Sequence, residues 1–312
     1  MKRRDLLAMT ISMVAATSAT SAIARESSTK RKPSFVLVHG SWHGAWCYAK
    51  VLPHLIEAGH MAIALDLPGH GLSAQFPRSY SVRPLDAAAF ATEPSPLAKT
   101  ALDDYVKAIG SVIDSLMQAG SGPVILLGHS MGGMPITAVG EAMPQKIRRL
   151  IYLTAFMPAS GTAGVDYLKI AEAEGELVTP GFKADPTKVG VLRLDPNSTD
   201  SAYIAQLKAA FAGDVSDTEW AAICNLLTPD DPVSPFATPI KTTKERWGRI
   251  PRAYIRCAQD YAIRIRQQDK FIALADAFVP NNKTEVVTFE TSHSPFMSKP
   301  AELAAALIKL AS

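Results

Sequence analysis

Short aliphatic runs alternate along this 312-residue chain with longer stretches whose apolar positions recur every three or four residues. Phe35–Val38, 61–65, Val124–Leu127, 149–153, Arg252–Cys257 and 285–289 are runs of the first kind, and they predict short strands, the aliphatic ones buried on both faces. Residues 45–58, 102–117, 266–278 and 301–311 have helical spacing. In 102–117, Val106, Ile109, Val112, Ile113 and Leu116 fall on one face. The second run is closed by Asp66-Leu67-Pro68-Gly69-His70-Gly71, a strong turn signal, and a long polar, proline-bearing loop follows over 73–98. Strand and helix in regular alternation predict an α/β fold, a doubly wound and mainly parallel sheet.

The rhythm breaks over residues 158–240. That stretch has several prolines and glycines, helical patches at 165–173, 201–212 and 218–227, and no βα repeat. A single insertion after the fourth strand predicts a mostly helical cap over the C-terminal edge of the sheet. The core is then 25–157 together with 241–312. Residues 1–24 stand apart from both. Lys2-Arg3-Arg4, an apolar run from Leu6 to about Ala16, and Ala22-Ile23-Ala24 make the three regions of a secretory signal peptide. Arg3-Arg4 ahead of Leu6-Leu7 fits the twin-arginine type. Cleavage near Ala24 is expected, with export to the periplasm or the medium. The apolar run is shorter than the ~20 residues that span a bilayer, so no stable membrane span is expected.

Charge and cysteine content narrow the class of function. Removing residues 1–24 takes Lys2, Arg3, Arg4 and Asp5 from 32 basic and 29 acidic residues and leaves the chain close to neutral. Near-neutrality gives no electrostatic footprint for nucleic acid. Cys47, Cys224 and Cys257 are scattered and form neither a zinc pattern nor a redox motif. His39 and His43 have i, i+4 spacing but lack the glutamate of a metalloprotease helix, so no metal and no cofactor are expected.

The candidate chemistry lies at Gly128-His129-Ser130-Met131-Gly132-Gly133, directly after Val124–Leu127. A serine on a sharp turn between a buried strand and a helix stands clear of the sheet beside helix N-terminal N–H groups, as a nucleophile requires. Such a serine needs a base, and in this architecture the base follows it in the chain. Of seven histidines only His293 lies well downstream, in a polar loop after the run 285–289. Loops past the C-terminal ends of parallel strands are where α/β sheets gather their chemistry.

At this point the chain resembles the α/β-hydrolase superfamily, most closely the branch of plant methyl-ester esterases, hydroxynitrile lyases and related bacterial esterases. The resemblance is carried by Phe35 to Trp46 (FVLVHGSWHGAW), Asp66–Gly71, the serine turn, Pro251–Asp260 and the His293 loop. It implies Asp260 as the acid that orients His293, ahead of its rivals Asp230 and Asp231, which read as solvated turn and cap residues. Asp269 and Asp276 read as exposed positions on the following helix. It also implies an oxyanion hole from the backbone N–H groups of Ser41 and Met131, a bracing role for His39, and Gly40 and Trp42 beside the substrate pocket. One departure is Arg264, where the plant members carry proline. The long 73–98 loop is another.

The resemblance implies a serine carboxylesterase for small to medium apolar esters, with a small-molecule ester as its partner. Two alternatives share the same residues: a hydroxynitrile-lyase-type enzyme, and a ligand-binding protein that keeps the triad without turnover. The lyases of this branch carry a threonine at the position of Gly40 and a lysine at that of Ser294. Both groups are missing here, which points to ester hydrolysis.

Overall fold

The computed structural model describes residues 32–312, and the predicted signal peptide and most of the polar leader after it lie outside the described residues. The strands are β1 (Phe35–Val38), β2 (Ala62–Leu65), β3 (Val124–His129), β4 (Ile147–Leu153), β5 (Val191–Arg193), β6 (Asp230–Pro232), β7 (Arg252–Cys257) and β8 (Glu285–Phe289). Six of them form one sheet in the order β2-β1-β3-β4-β7-β8, and every neighbouring pair is parallel. The chain moves outward from β1 to β2 and then crosses back to β3 on the other side of β1. The order therefore reverses between β1 and β3, and a crevice opens there at the strands' C-terminal ends.

The period-2 alternation of strand side chains builds a core on each face. Val36, Val38, Val124, Leu126, Leu150 and Tyr152 point to one side, where the helices Leu102–Gln118, Gly133–Ala142 and Ile265–Phe278 cover them. Phe35, Leu37, Ile125, Leu127, Ile151 and Ile255 point to the other, under the helices Leu52–Glu57 and Pro300–Leu310. Pro33–Ser312 forms one compact unit. Among the described residues, no helix is long and apolar enough to cross a membrane.

Two expectations are corrected. The helical stretch 45–58 is two pieces, a 3₁₀ turn Ala45–Tyr48 and the helix Leu52–Glu57, because Pro53 lacks an N–H and is accepted only in a first turn. The 73–98 loop contains a helix, Ala87–Thr92, whose first N–H groups are capped by the Asp86 carboxylate. The segment 158–240 is built mainly of short helices and turns, with one short antiparallel pair, β5 and β6, within it.

That ladder also overturns the reading of Asp230 and Asp231 as solvated. Both are fully buried. Asp230 lies opposite Arg193 and takes a two-pronged ion pair from it, Nε to Oδ1 at 2.7 Å and Nη2 to Oδ2 at 2.8 Å. Asp231 Oδ1 pairs with His70 Nε2 at 2.8 Å, tying the turn after β2 to the inserted segment. The Arg193–Asp230 ion pair is costly to break because the charge left behind has no solvent. Asp269 pairs with Arg256 and is half-exposed, as read.

Candidate active site

β3 runs into a turn that holds Ser130 at φ 55°, and the helix Gly133–Ala142 starts directly behind it. A left-handed conformation costs a residue with a side chain roughly 1–2 kcal/mol, so the surroundings must enforce it. The neighbouring loop does so. A Cβ on Gly132 would lie 2.5 Å from His39 O, and a Cβ on Gly40 would lie 2.6 Å from Ser130 Cβ. Only glycines let the loop after β1 and the turn after β3 close on each other across the crevice. Among the described residues, three non-glycine positions have positive φ: Trp42 after β1, Ser130 after β3 and Thr154 after β4. All the unusual backbone of this kind is concentrated at one end of three adjacent strands.

Asp260 and His293 arrive at the same end from β7 and β8. Both are fully buried, and His293 Nδ1 lies 2.6 Å from Asp260 Oδ2. A carboxylate only accepts, so Nδ1 carries the proton, and in the neutral imidazole Nε2 presents a lone pair. Nε2 is buried and makes no hydrogen bond among the described residues, so none joins it to Ser130. Apo sites often leave this contact open until substrate binds. The rest of the acid's lone pairs are taken. Thr154 Oγ1 donates to Oδ2, while Ala262 and Ile263 N–H groups donate to Oδ1 at 2.6 and 2.8 Å. Arg264 donates to Asp260 O at 2.9 Å and lies over the Tyr261 ring, so the departure from proline supplies a brace for the acid's turn.

Two contributors were not singled out in the sequence. Thr154 is one, and its place just past β4 was the available signal. The other is His129, whose Nε2 donates to His293 O at 2.9 Å and whose ring lies 4.5 Å from the His293 ring. His293 thus packs against the residue preceding Ser130. His39 braces its loop as expected, taking the Leu67 N–H on Nε2 at 3.0 Å.

Ser41, Trp42, Ser130 and Met131 line one narrow cavity of about 40 Å³. Gly40 does not line it and stands behind, against Ser130 and the His129 ring. Phe156, Phe182, Phe211, Phe236 and Ile263 make the cavity apolar, and Leu168, Glu176, Val178 and Leu192 complete it from the inserted segment. Trp42 Nε1 donates to Leu192 O at 2.9 Å, and Thr228 N donates to Trp42 O at 2.9 Å, so the segment is tied to the loop after β1.

Three further histidines surround the site and are kept neutral. Burial, reinforced by neighbouring histidines, holds His39 and His129 well below the usual range, and burial pulls His43 down to about 4. Through most of the range between pH 6.5 and 4 these groups take up protons on unfolding rather than in the fold. Their contribution is complete above about pH 6.5 and is lost as pH falls toward 4, at about 1.4 kcal/mol per pH unit per proton. Melting temperature measured across that window should fall steeply with acid, and His43→Phe should flatten the slope. A melting temperature constant from pH 7 to 4.5 would contradict this.

The model of the alpha/beta hydrolase family matches residues 35–306. Methylesterase 1 of Arabidopsis thaliana is 30% identical over 306 residues, covering 91% of this chain and 98% of the relative. Methylesterase 9 of the same plant is 29% identical over 287 residues, covering 89% and 97%. Among solved structures, a pyrethroid hydrolase superposes with a TM-score of 0.69 at 24% identity, over 89% of this chain and 97% of that one. At that identity the structural likeness concerns the fold.

Proposed function

Since the chain belongs to the alpha/beta hydrolase family and is a hydrolase, we propose that it is a serine carboxylesterase acting through Ser130, His293 and Asp260. His293 Nε2 takes the proton as Ser130 Oγ attacks the ester carbonyl, and returns it to the departing alkoxide. Water, activated by the same nitrogen, then attacks the acyl-enzyme and restores Ser130. The N–H groups of Ser41 and Met131 hold the developing oxyanion, each contributing about 3–4 kcal/mol in sites of this kind. The observation that carries the reading is the orientation of His293. With Nδ1–H fixed on a fully bonded Asp260, the basic nitrogen is left for the serine turn.

The cavity wall of four phenylalanines and Trp42 favours small to medium apolar esters. A cavity of about 40 Å³ is narrow for an ester, and a shift of the inserted segment 158–240, which supplies much of its wall, would widen it. That segment is the cap of the site. The methylesterases among the relatives make methyl esters the first substrates to try.

A panel varied independently in acyl and alcohol parts tests this, with mandelonitrile as the contrasting substrate. Gly40 offers no side-chain hydroxyl, and Ser294 offers no cation for a departing cyanide. Losing a fixed charge in a dry pocket weakens such a step heavily. Hydrolysis of aryl and methyl esters is expected, with cyanide release no faster than background. Rapid Ser130-dependent cyanide release without ester turnover would replace this reading with the lyase, and ligand binding without either reaction would replace it with the binding protein.

A further inference from the structure

The His293 loop is held from three sides. Gln259 N donates to Thr291 O at 3.0 Å, and His129 Nε2 donates to His293 O at 2.9 Å; both belong to the core. The third hold comes from the inserted segment. Asp214 takes the Ser292 hydroxyl on Oδ1 and the Ser292 N–H on Oδ2 at 3.2 Å. Ser292 is 2% exposed, whereas Asp214 lies at the surface and reaches inward to it. A carboxylate that takes both donors of one residue fixes that residue's backbone, and the next residue is His293.

Asp214 lies just beyond the helix Ser201–Ala212, which carries Phe211 into the cavity wall. Anything that displaces this helix to admit a substrate also draws Asp214 away from Ser292. We propose that Asp214 is a positioning residue for His293, and that it couples closure of the inserted segment to placement of the base. The inference rests on the esterase reading above. With Asp214 withdrawn, the loop keeps its core holds, the His293–Asp260 hydrogen bond among them, and loses the hold on the residue directly before His293. Closure over a bound ester restores the clasp, so the base is fully placed only when the cavity is sealed from water.

The test compares Asp214→Ala, Asp214→Asn and Ser292→Ala with the unaltered protein. Kinetics are followed on one aryl ester, and proton NMR follows the downfield His293 Nδ1–H resonance, identified by its loss in His293→Ala. Asp214→Ala is expected to lower kcat roughly 10- to 100-fold, the scale of a small misplacement of a catalytic group. KM should stay within about twofold, and the resonance should broaden by exchange. Asp214→Asn keeps one acceptor oxygen and should lie between. Ser292→Ala should lose less than Asp214→Ala, and the double variant should be no worse than Asp214→Ala alone, since the two share one interaction. A lower melting temperature with kcat and resonance unchanged would overturn the proposal, as would a loss confined to KM. If the protein turns over no ester at all, the esterase reading fails on that result, while the resonance still decides whether Asp214 orders His293.

Discussion

Ser130→Ala is expected to lower kcat for ester hydrolysis by a factor on the order of 10⁶, with the melting temperature nearly unchanged. The two halves of this expectation have separate causes. Serine and alanine both carry a Cβ, so both bear the same left-handed backbone at φ 55° against Gly40. The hydroxyl adds little to packing because the side chain stands at the cavity wall. Its contribution is confined to the transition state, where it supplies the bond that forms. A variant that keeps more than a small residue of activity would remove Ser130 from this role.

His293→Ala should be as damaging as the serine change, and the double variant hardly worse, because the two residues act as one unit. Asp260→Asn should cost about 10⁴-fold. The bonding around Asp260 gives the reason. Oδ1 faces two backbone N–H groups, and Oδ2 faces the Thr154 hydroxyl and the His293 Nδ1–H. An amide must turn its NH₂ toward one of these pairs of donors. Turned toward His293, it demands a proton-free Nδ1 and so moves the proton to Nε2, the atom that must accept from Ser130. Asp231→Asn is the control. It disturbs the buried pair with His70 and should lower stability while leaving the kinetic signature of the base intact. Should Asp231→Asn be the more damaging of the two for kcat, the acid has been misassigned.

The parts of this molecule that could be read from its sequence are those written in contiguous residues. Six strands of the main sheet and the serine turn follow from local apolar runs and glycine spacing, and the parallel arrangement of the sheet follows from strand–helix alternation, whereas the strand order does not. His293 could be picked out because no other histidine lies well downstream of Ser130. What could not be read depends on partners far apart in the chain. Asp230 looks like turn chemistry until Arg193, across the short ladder β5–β6, neutralises it in the interior. β6 itself, Asp230-Asp231-Pro232, has no strand-like hydrophobic pattern, and its burial depends on Arg193 and His70. Thr154 meets Asp260 through one hydrogen bond and Asp214 meets Ser292 through two, and no local periodicity marks either residue. The histidines His39, His43 and His129 likewise show their neutral, buried state only once the loops after β1 and β3 are folded together.

The central claim is that Ser130 is the nucleophile, and covalent capture tests it most directly. The protein is incubated with the organophosphate paraoxon, its residual esterase activity is followed, and the adduct is located by peptide mass spectrometry. The account predicts one diethylphosphoryl group per chain, on the peptide containing Ser130, with activity lost in proportion to labelling and no labelling in Ser130→Ala. Full activity after complete labelling of Ser130, or stoichiometric inactivation with the adduct on another residue, would contradict it.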